Sequence, residues 1–132
     1  MPSSVPDAMR DLFDEPALAH VSYLNDANQI VTFPMWVDFD GTNLTVGSPV
    51  DSRKGQAVRQ RPQVAVSIVS TKTPWHWLSV SGRVIEIRPD EDLVWIDRMS
   101  LKYVGQPYER RSPREVFTIE IDRIGHSGSW GG

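Results

Sequence analysis

The stretch Leu44-Thr45-Val46-Gly47-Ser48-Pro49-Val50-Asp51-Ser52-Arg53-Lys54 decides how this chain is read. Leu44 to Ser48 reads as a short strand that leaves a β-layer and turns at Ser48-Pro49. Asp51 or Ser52 then caps a helix, because a short polar side chain accepts from the free N–H groups of the first turn. Arg53 and Lys54 fall in that first turn, where the helix dipole is positive and cations are disfavoured. Two readings account for them. They are solvated surface cations, or they flank an anion held on the open N–H groups of the helix start.

Working outward, Ala17 to Leu24 reads as a strand, and Asn25 to Asn28 as a turn in which Asn28 tolerates a left-handed backbone. Gln29 to Phe39 is a second strand, Asp40-Gly41 a hairpin turn, and Asn43 to Ser48 the third strand. The helix runs from Asp51 to Arg61 and stops at Pro62. Val64 to Val69 and Trp75 to Ile87 are the next strands, with Gly82 marking a bulge or bend. Asp90 to Val104 is a second helix that buries Leu93, Ile96, Met99 and Tyr103 and ends at Gly105. Glu115 to Ile121 is the last strand. Pro6 to Phe13 is a short helix with Met9, Leu12 and Phe13 on one face. Six strands and two substantial helices predict a mainly β fold, a six-stranded antiparallel barrel closed to avoid exposed edges. The first three strands follow one another by hairpin turns, which argues against a doubly wound parallel sheet. Residues 1–132 read as one domain, with a helical segment at 1–15 and a Gly- and Ser-rich, flexible tail at 125–132.

Composition narrows the function. The chain of 132 residues is 39% hydrophobic and 23% charged, with a net charge of −3. That balance fits a globular domain and argues against general nucleic-acid binding, which needs a broad basic face. There are no cysteines, so disulfides and thiolate chemistry are excluded. No signal peptide or membrane span is visible, and the expected setting is cytoplasmic.

The other candidates are weighed in the same way. Arg59 and Arg61 extend the basic character along a helix only about 15 Å long, which suits a phosphate with an acidic tail better than a nucleic-acid groove. Pro34-Met35-Trp36 interrupts the second strand, since proline cannot donate to a ladder. It marks either a barrel edge with a core Trp or freed backbone facing a flat ring. Trp75 and Trp77 sit at i and i+2, as core or dimer-interface residues or as walls for an aromatic cofactor. His20, His76 and His126 show no metal-ligand spacing, and no catalytic dyad or triad can be nominated.

These residues in this order resemble a known family. Its marks are Pro34-Met35-Trp36-Val37-Asp38-Phe39-Asp40-Gly41, Ser48-Pro49, Ser52-Arg53-Lys54 with Arg59 and Pro62, Val64-Ala65-Val66-Ser67, the strand ending at Gly82, and Lys102-Tyr103-Val104-Gly105. From about Ala17 to Ile124 the chain resembles flavin/deazaflavin oxidoreductases of the pyridoxamine 5'-phosphate oxidase-like split-barrel superfamily, and among them the small coenzyme F420-dependent group of actinobacteria. The resemblance implies a six-stranded split barrel that forms a homodimer with cofactor sites at the interface. It implies F420, or alternatively FMN, as cofactor, and hydride transfer to a conjugated small molecule. A non-catalytic cofactor-binding protein of the same fold is the other alternative. By this resemblance Ser52, Arg53 and Lys54 hold the cofactor phosphate. Backbone near Pro34, Met35 and Trp36, and near Val46, Gly47 and Ser48, lines the ring. Trp75 and Trp77 approach from the partner, as does the tail near Trp130. Phe33 and Ala57 depart from the family, which often carries Thr and Asn at those places.

Overall fold

A computed structural model describes residues 3–127. Trp130 and the rest of 128–132 lie outside the described residues. One sheet of seven antiparallel strands organises the molecule, in the order β2-β1-β5-β6-β7-β4-β3. The strands are β1 (Ala19–Leu24), β2 (Ile30–Met35), β3 (Asp38–Phe39), β4 (Leu44–Pro49), β5 (Gln63–Val69), β6 (Trp77–Pro89) and β7 (Arg114–His126). Two α-helices, α1 (Arg53–Gln60) and α2 (Val94–Val104), join short 3-10 turns at Asp7–Phe13 and Glu91–Leu93. Among the described residues, no helix is long and apolar enough to cross a membrane.

The seventh strand arises because the predicted second strand is two. Pro34 can be tolerated only at an edge, and β2 is an edge paired with β1 alone. Past Trp36-Val37 the chain changes partner, and Asp38-Phe39 pairs with Thr45-Leu44 of β4. The two edges of the sheet are therefore consecutive in sequence, separated by two residues. At roughly 3.3–3.6 Å per residue the chain cannot bridge a flat sheet of seven strands, so the sheet curls until its edges meet at this seam. The third predicted strand pairs with β7 along its whole length and meets the second only at its last two residues, Asp38-Phe39.

Lys102 and Tyr103 of α2 close the seam. Lys102 Nζ donates to the Val37 carbonyl at 2.7 Å and the Phe13 carbonyl at 2.9 Å. The Tyr103 hydroxyl donates to the Ala17 carbonyl at 2.6 Å and accepts the Val37 N–H at 3.2 Å. Backbone that leaves a ladder must find partners elsewhere, and α2 supplies them. Burial lowers the Lys102 pKa and raises that of Tyr103 from their ordinary values.

The barrel interior is filled by alternate residues of the long strands, including Ile68, Leu78, Val80, Ile119 and Ile121, and is capped by Met9, Leu12 and Phe13. A smaller core of Leu93, Trp95, Ile96, Met99 and Val116 fixes α2 to the outside of the barrel. Gly82 sits at a register shift between β6 and β7, where any side chain would run into the Glu120 carbonyl. Helix α2 begins later than the periodicity predicts, because Asp92 and Leu93 take left-handed backbone conformations. The last strand runs on to His126 against Leu78, so the tail predicted from Gly125 is still sheet there.

Candidate functional site

The seam, the end of β4 and the starts of α1 and β7 enclose a cavity of about 290 Å³. Pro34, Met35 and Trp36 form one wall and Gly47 and Pro49 another, with Trp95 and Ile96 of α2 behind them. Gly47 is required here: a Cβ would lie 2.6 Å from Trp95 Cζ3. Its absence lets the indole lie against the strand, with its N–H donated to Thr45 Oγ1 at 3.0 Å. Trp36 stacks on Tyr103 at 5.2 Å between ring centres and meets the edge of Tyr108 at 5.9 Å. Val46 and Ser48 alternate with Gly47 and point the other way, both buried.

The start of α1 borders this cavity. Ser52 is its N-cap, accepting the Gly55 N–H at 3.0 Å, and Ser48 Oγ donates to Ser52 Oγ at 2.7 Å. The choice the sequence left between Asp51 and Ser52 thus falls to Ser52. Asp51 instead takes a positive φ of 65° in the turn. Among the described residues, the first-turn N–H groups of Arg53 and Lys54 have no acceptor. A second concavity, of about 540 Å³, is lined by Ser52, Arg53 and Lys54 together with Phe33 and Tyr23. Lys54 borders both spaces. Its ammonium lies 4.5 Å over the ring of Phe33, so Phe33 supports the cation with its π face.

Arg114, the first residue of β7, faces the same cavity from beside Pro49. Its guanidinium lies 5.2 Å over the Tyr108 ring, and its Nε is buried without an acceptor among the described residues. Burial, then the charge of Arg114, lowers the Lys54 pKa. Burial likewise lowers that of Arg114, against the opposing pull of Tyr108 and Asp90. Neither cation has a carboxylate within ion-pair distance among the described residues. Arg114, Trp95 and Tyr108 escaped sequence reading. The available signal for Arg114 was a cation opening a strand opposite Pro49, but the β4–β7 pairing that gives it meaning is invisible in the chain.

The remaining candidates stand elsewhere. Arg59 donates to Glu115 at 2.6 Å, and Arg61 lies 3.7 Å from Asp26. Trp75 precedes β6 in a turn and is 80% exposed, while Trp77 begins the strand half-buried, so the two do not share one strand face. Both lie outside the cavity of their own chain.

A family model described as pyridoxamine 5'-phosphate oxidase matches residues 5–128. The chain belongs to this family. No curated protein sequence matches it. Among solved structures it is similar to an F420 reductase, at 22% identity over 92% of this chain and 98% of the other, with a TM-score of 0.82. A conserved hypothetical protein of Mycobacterium tuberculosis superposes with a TM-score of 0.74 at 15% identity, over 95% of this chain and 85% of the other. General Stress Protein 26 of Bacillus anthracis str. Sterne superposes at 0.68 and 15% identity, over 89% of each. At these identities the likeness is one of fold, and the split barrel expected from the sequence is that fold.

Proposed function

We propose that this protein is a homodimeric oxidoreductase that holds coenzyme F420 at the seam and passes a hydride to a conjugated small molecule. The observation that carries the reading is Lys54, which joins a flat-walled cavity to a groove at an open helix start. One space suits a ring and the other a phosphate arm, and a flavin-like nucleotide has both. The residues fit such a group: Gly47 keeps the wall flat, and among the described residues Arg114 Nε and two first-turn N–H groups have no acceptor.

In this reading Ser52, Arg53 and the backbone N–H of Lys54 receive the phosphate, with the positive helix end supplying complementary charge, while the Lys54 ammonium reaches over Phe33 to the ring cavity. Pro34, Met35, Trp36 and Gly47 position the ring. When bound, the reduced cofactor supplies the hydride, and the balancing proton comes from water. The protein's own part is to orient the ring and exclude solvent from one face, which is why no acid–base dyad is needed. Trp75, exposed in the single chain, covers the site of a second copy together with Trp77. An exposed side chain of that size favours such burial.

The ion pairs of Arg59 and Arg61 support a second reading, FMN in place of F420. Those cations were the expected partners of a polyanionic tail, and acids of this chain already face them. Absorption titrations with each cofactor separate the two. F420 binding is the expected result; FMN binding without F420 binding selects the second reading, and binding of neither overturns both. Stopped-flow oxidation of the reduced cofactor by a panel of conjugated acceptors then distinguishes an enzyme from a protein that only binds it.

A further inference from the structure

We propose that Lys54 and Arg114 form an anion subsite inside the cavity itself, separate from the helix start, and that the ring bound there carries negative charge on its edge. This deepens the cofactor reading and rests on its placement of a ring at the seam, but it has its own evidence. Sequence alone assigned Lys54 to the phosphate. The structure sends its side chain across Phe33 to the border of the ring cavity, opposite a second cation from a different element. Two like charges facing one half-buried space repel each other and lose hydration, a cost that an unpaired arrangement leaves uncompensated.

Among the described residues no acid forms an ion pair with either cation, and Asp90 acts on Arg114 only at longer range. Asp90 pairs with Arg114 through the backbone, its N–H donating to the Arg114 carbonyl at 2.8 Å. Both of its carboxylate oxygens are committed to α2, one to the Trp95 N–H at 2.8 Å and the other to the Ile96 N–H at 3.0 Å. Glu115, the next residue along, gives Oε1 to Arg59, and its buried Oε2 has no donor among the described residues and no ion pair with Lys54 or Arg114. The Arg114 Nε is left as a buried donor with no acceptor. A bound anion would satisfy it and offset the repulsion between the two cations at once.

The walls define the rest of the ligand. Trp36, Trp95, Tyr108 and Met35 offer flat or adaptable apolar surface. The chemistry that fits is a planar conjugated ring with a carboxylate or a delocalised oxyanion at its edge, rather than a free inorganic anion. That charge can come from the cofactor ring or from a substrate carboxylate stacked beside it.

Isothermal titration with 2-naphthoate and with its neutral counterpart 2-naphthamide tests the subsite on the full chain. The expected result is a preference for the carboxylate of about tenfold or more. It should vanish in Arg114→Gln and shrink in Lys54→Met, which keeps the apolar stem over Phe33. Thermal melts confirm that both variants remain folded. Equal binding of the two probes, or a preference retained in both folded variants, overturns the subsite. Repeating the titration with FMN or F420 present separates the sources: displacement assigns the charge to the cofactor ring, and undiminished naphthoate binding assigns it to a substrate. If neither cofactor binds but naphthoate is still preferred, the cofactor reading falls and the anion subsite stands.

Discussion

The two α-helices begin in opposite ways. Before α2, the buried carboxylate of Asp90 accepts the N–H groups of both Trp95 and Ile96. At α1 a single hydroxyl, Ser52 Oγ, accepts the Gly55 N–H, while those of Arg53 and Lys54 have no acceptor among the described residues and their side chains add positive charge to a positive helix end. The α2 start carries its own anion. The α1 start has no carboxylate on its first-turn N–H groups among the described residues, and under the proposed function the cofactor phosphate supplies the charge. Helix dipole and open N–H groups are common to both, so the difference lies in the side chains, and under the proposed function it separates a structural helix start from a binding one.

The largest expected effect breaks the α2 start. Asp90→Ala leaves two buried N–H groups unpaired, and urea unfolding should show a loss of about 2–3 kcal/mol. Adding cofactor should not abolish that deficit, since the ligand does not replace this carboxylate. A loss no larger than that of Ser52→Ala would mean that the two starts are not different in kind. Next comes the open end. Lys54→Ala should weaken cofactor binding by about 1.5–3 kcal/mol, read by spectral titration, with little change in unfolding midpoint. Unchanged affinity would remove Lys54 from the site.

The contrast was half legible in the sequence. Ser52, Arg53 and Lys54 could be placed because capping and dipole rules act within a few residues, and those rules already raised the anion. Gly82 and the apolar face at Leu93, Ile96 and Met99 were legible for the same local reason. The seam was not. Gln29 to Phe39 reads as one strand because apolar character continues across it, and only the change of partner at Trp36-Val37 divides it. The roles of Lys102 and Tyr103 depend on that division, since they satisfy backbone that the split leaves open. Arg114 was hidden too, because its meaning comes from β7 lying beside β4, a pairing between residues far apart in the chain. Asp90 opens the predicted second helix, but its reach to Trp95 and Ile96 depends on the left-handed residues Asp92 and Leu93.

A smaller effect sharpens the comparison from the α1 side. Ser52→Ala removes the one internal cap of that helix and the acceptor of Ser48 Oγ. The expected loss is about 1 kcal/mol in urea unfolding of the free protein. Bound cofactor should recover part of it if the phosphate caps the same turn. An identical deficit with and without cofactor would place the phosphate elsewhere.

Glu15 repeats the Asp90 device away from any helix, and its effect is read by pH. Its buried carboxylate accepts the Thr71 N–H at 2.7 Å, the Thr71 hydroxyl at 2.8 Å and the Ser70 hydroxyl at 2.9 Å. Burial pushes its pKa up, but these bonds from Thr71 and Ser70 outweigh burial and hold it below the ordinary 4.5. A folded-state pKa below the unfolded one means the unfolded chain binds the proton more tightly. The stabilisation is therefore complete above the unfolded value and is lost as pH falls through the lower, folded one. Asp11 beside His76 and Asp97 beside Arg111 shift in the same direction, so the slope of the wild type alone assigns nothing. Glu15→Gln isolates the contribution: the stability gap between wild type and variant, measured by urea unfolding, should narrow as pH is lowered below about 4.5. A gap that stays constant down to the acid transition would show that Glu15 acts through its shape and hydrogen bonds rather than its charge. The carboxylate at Asp90 would then need the same reassessment through Asp90→Asn, which keeps one acceptor and removes the charge.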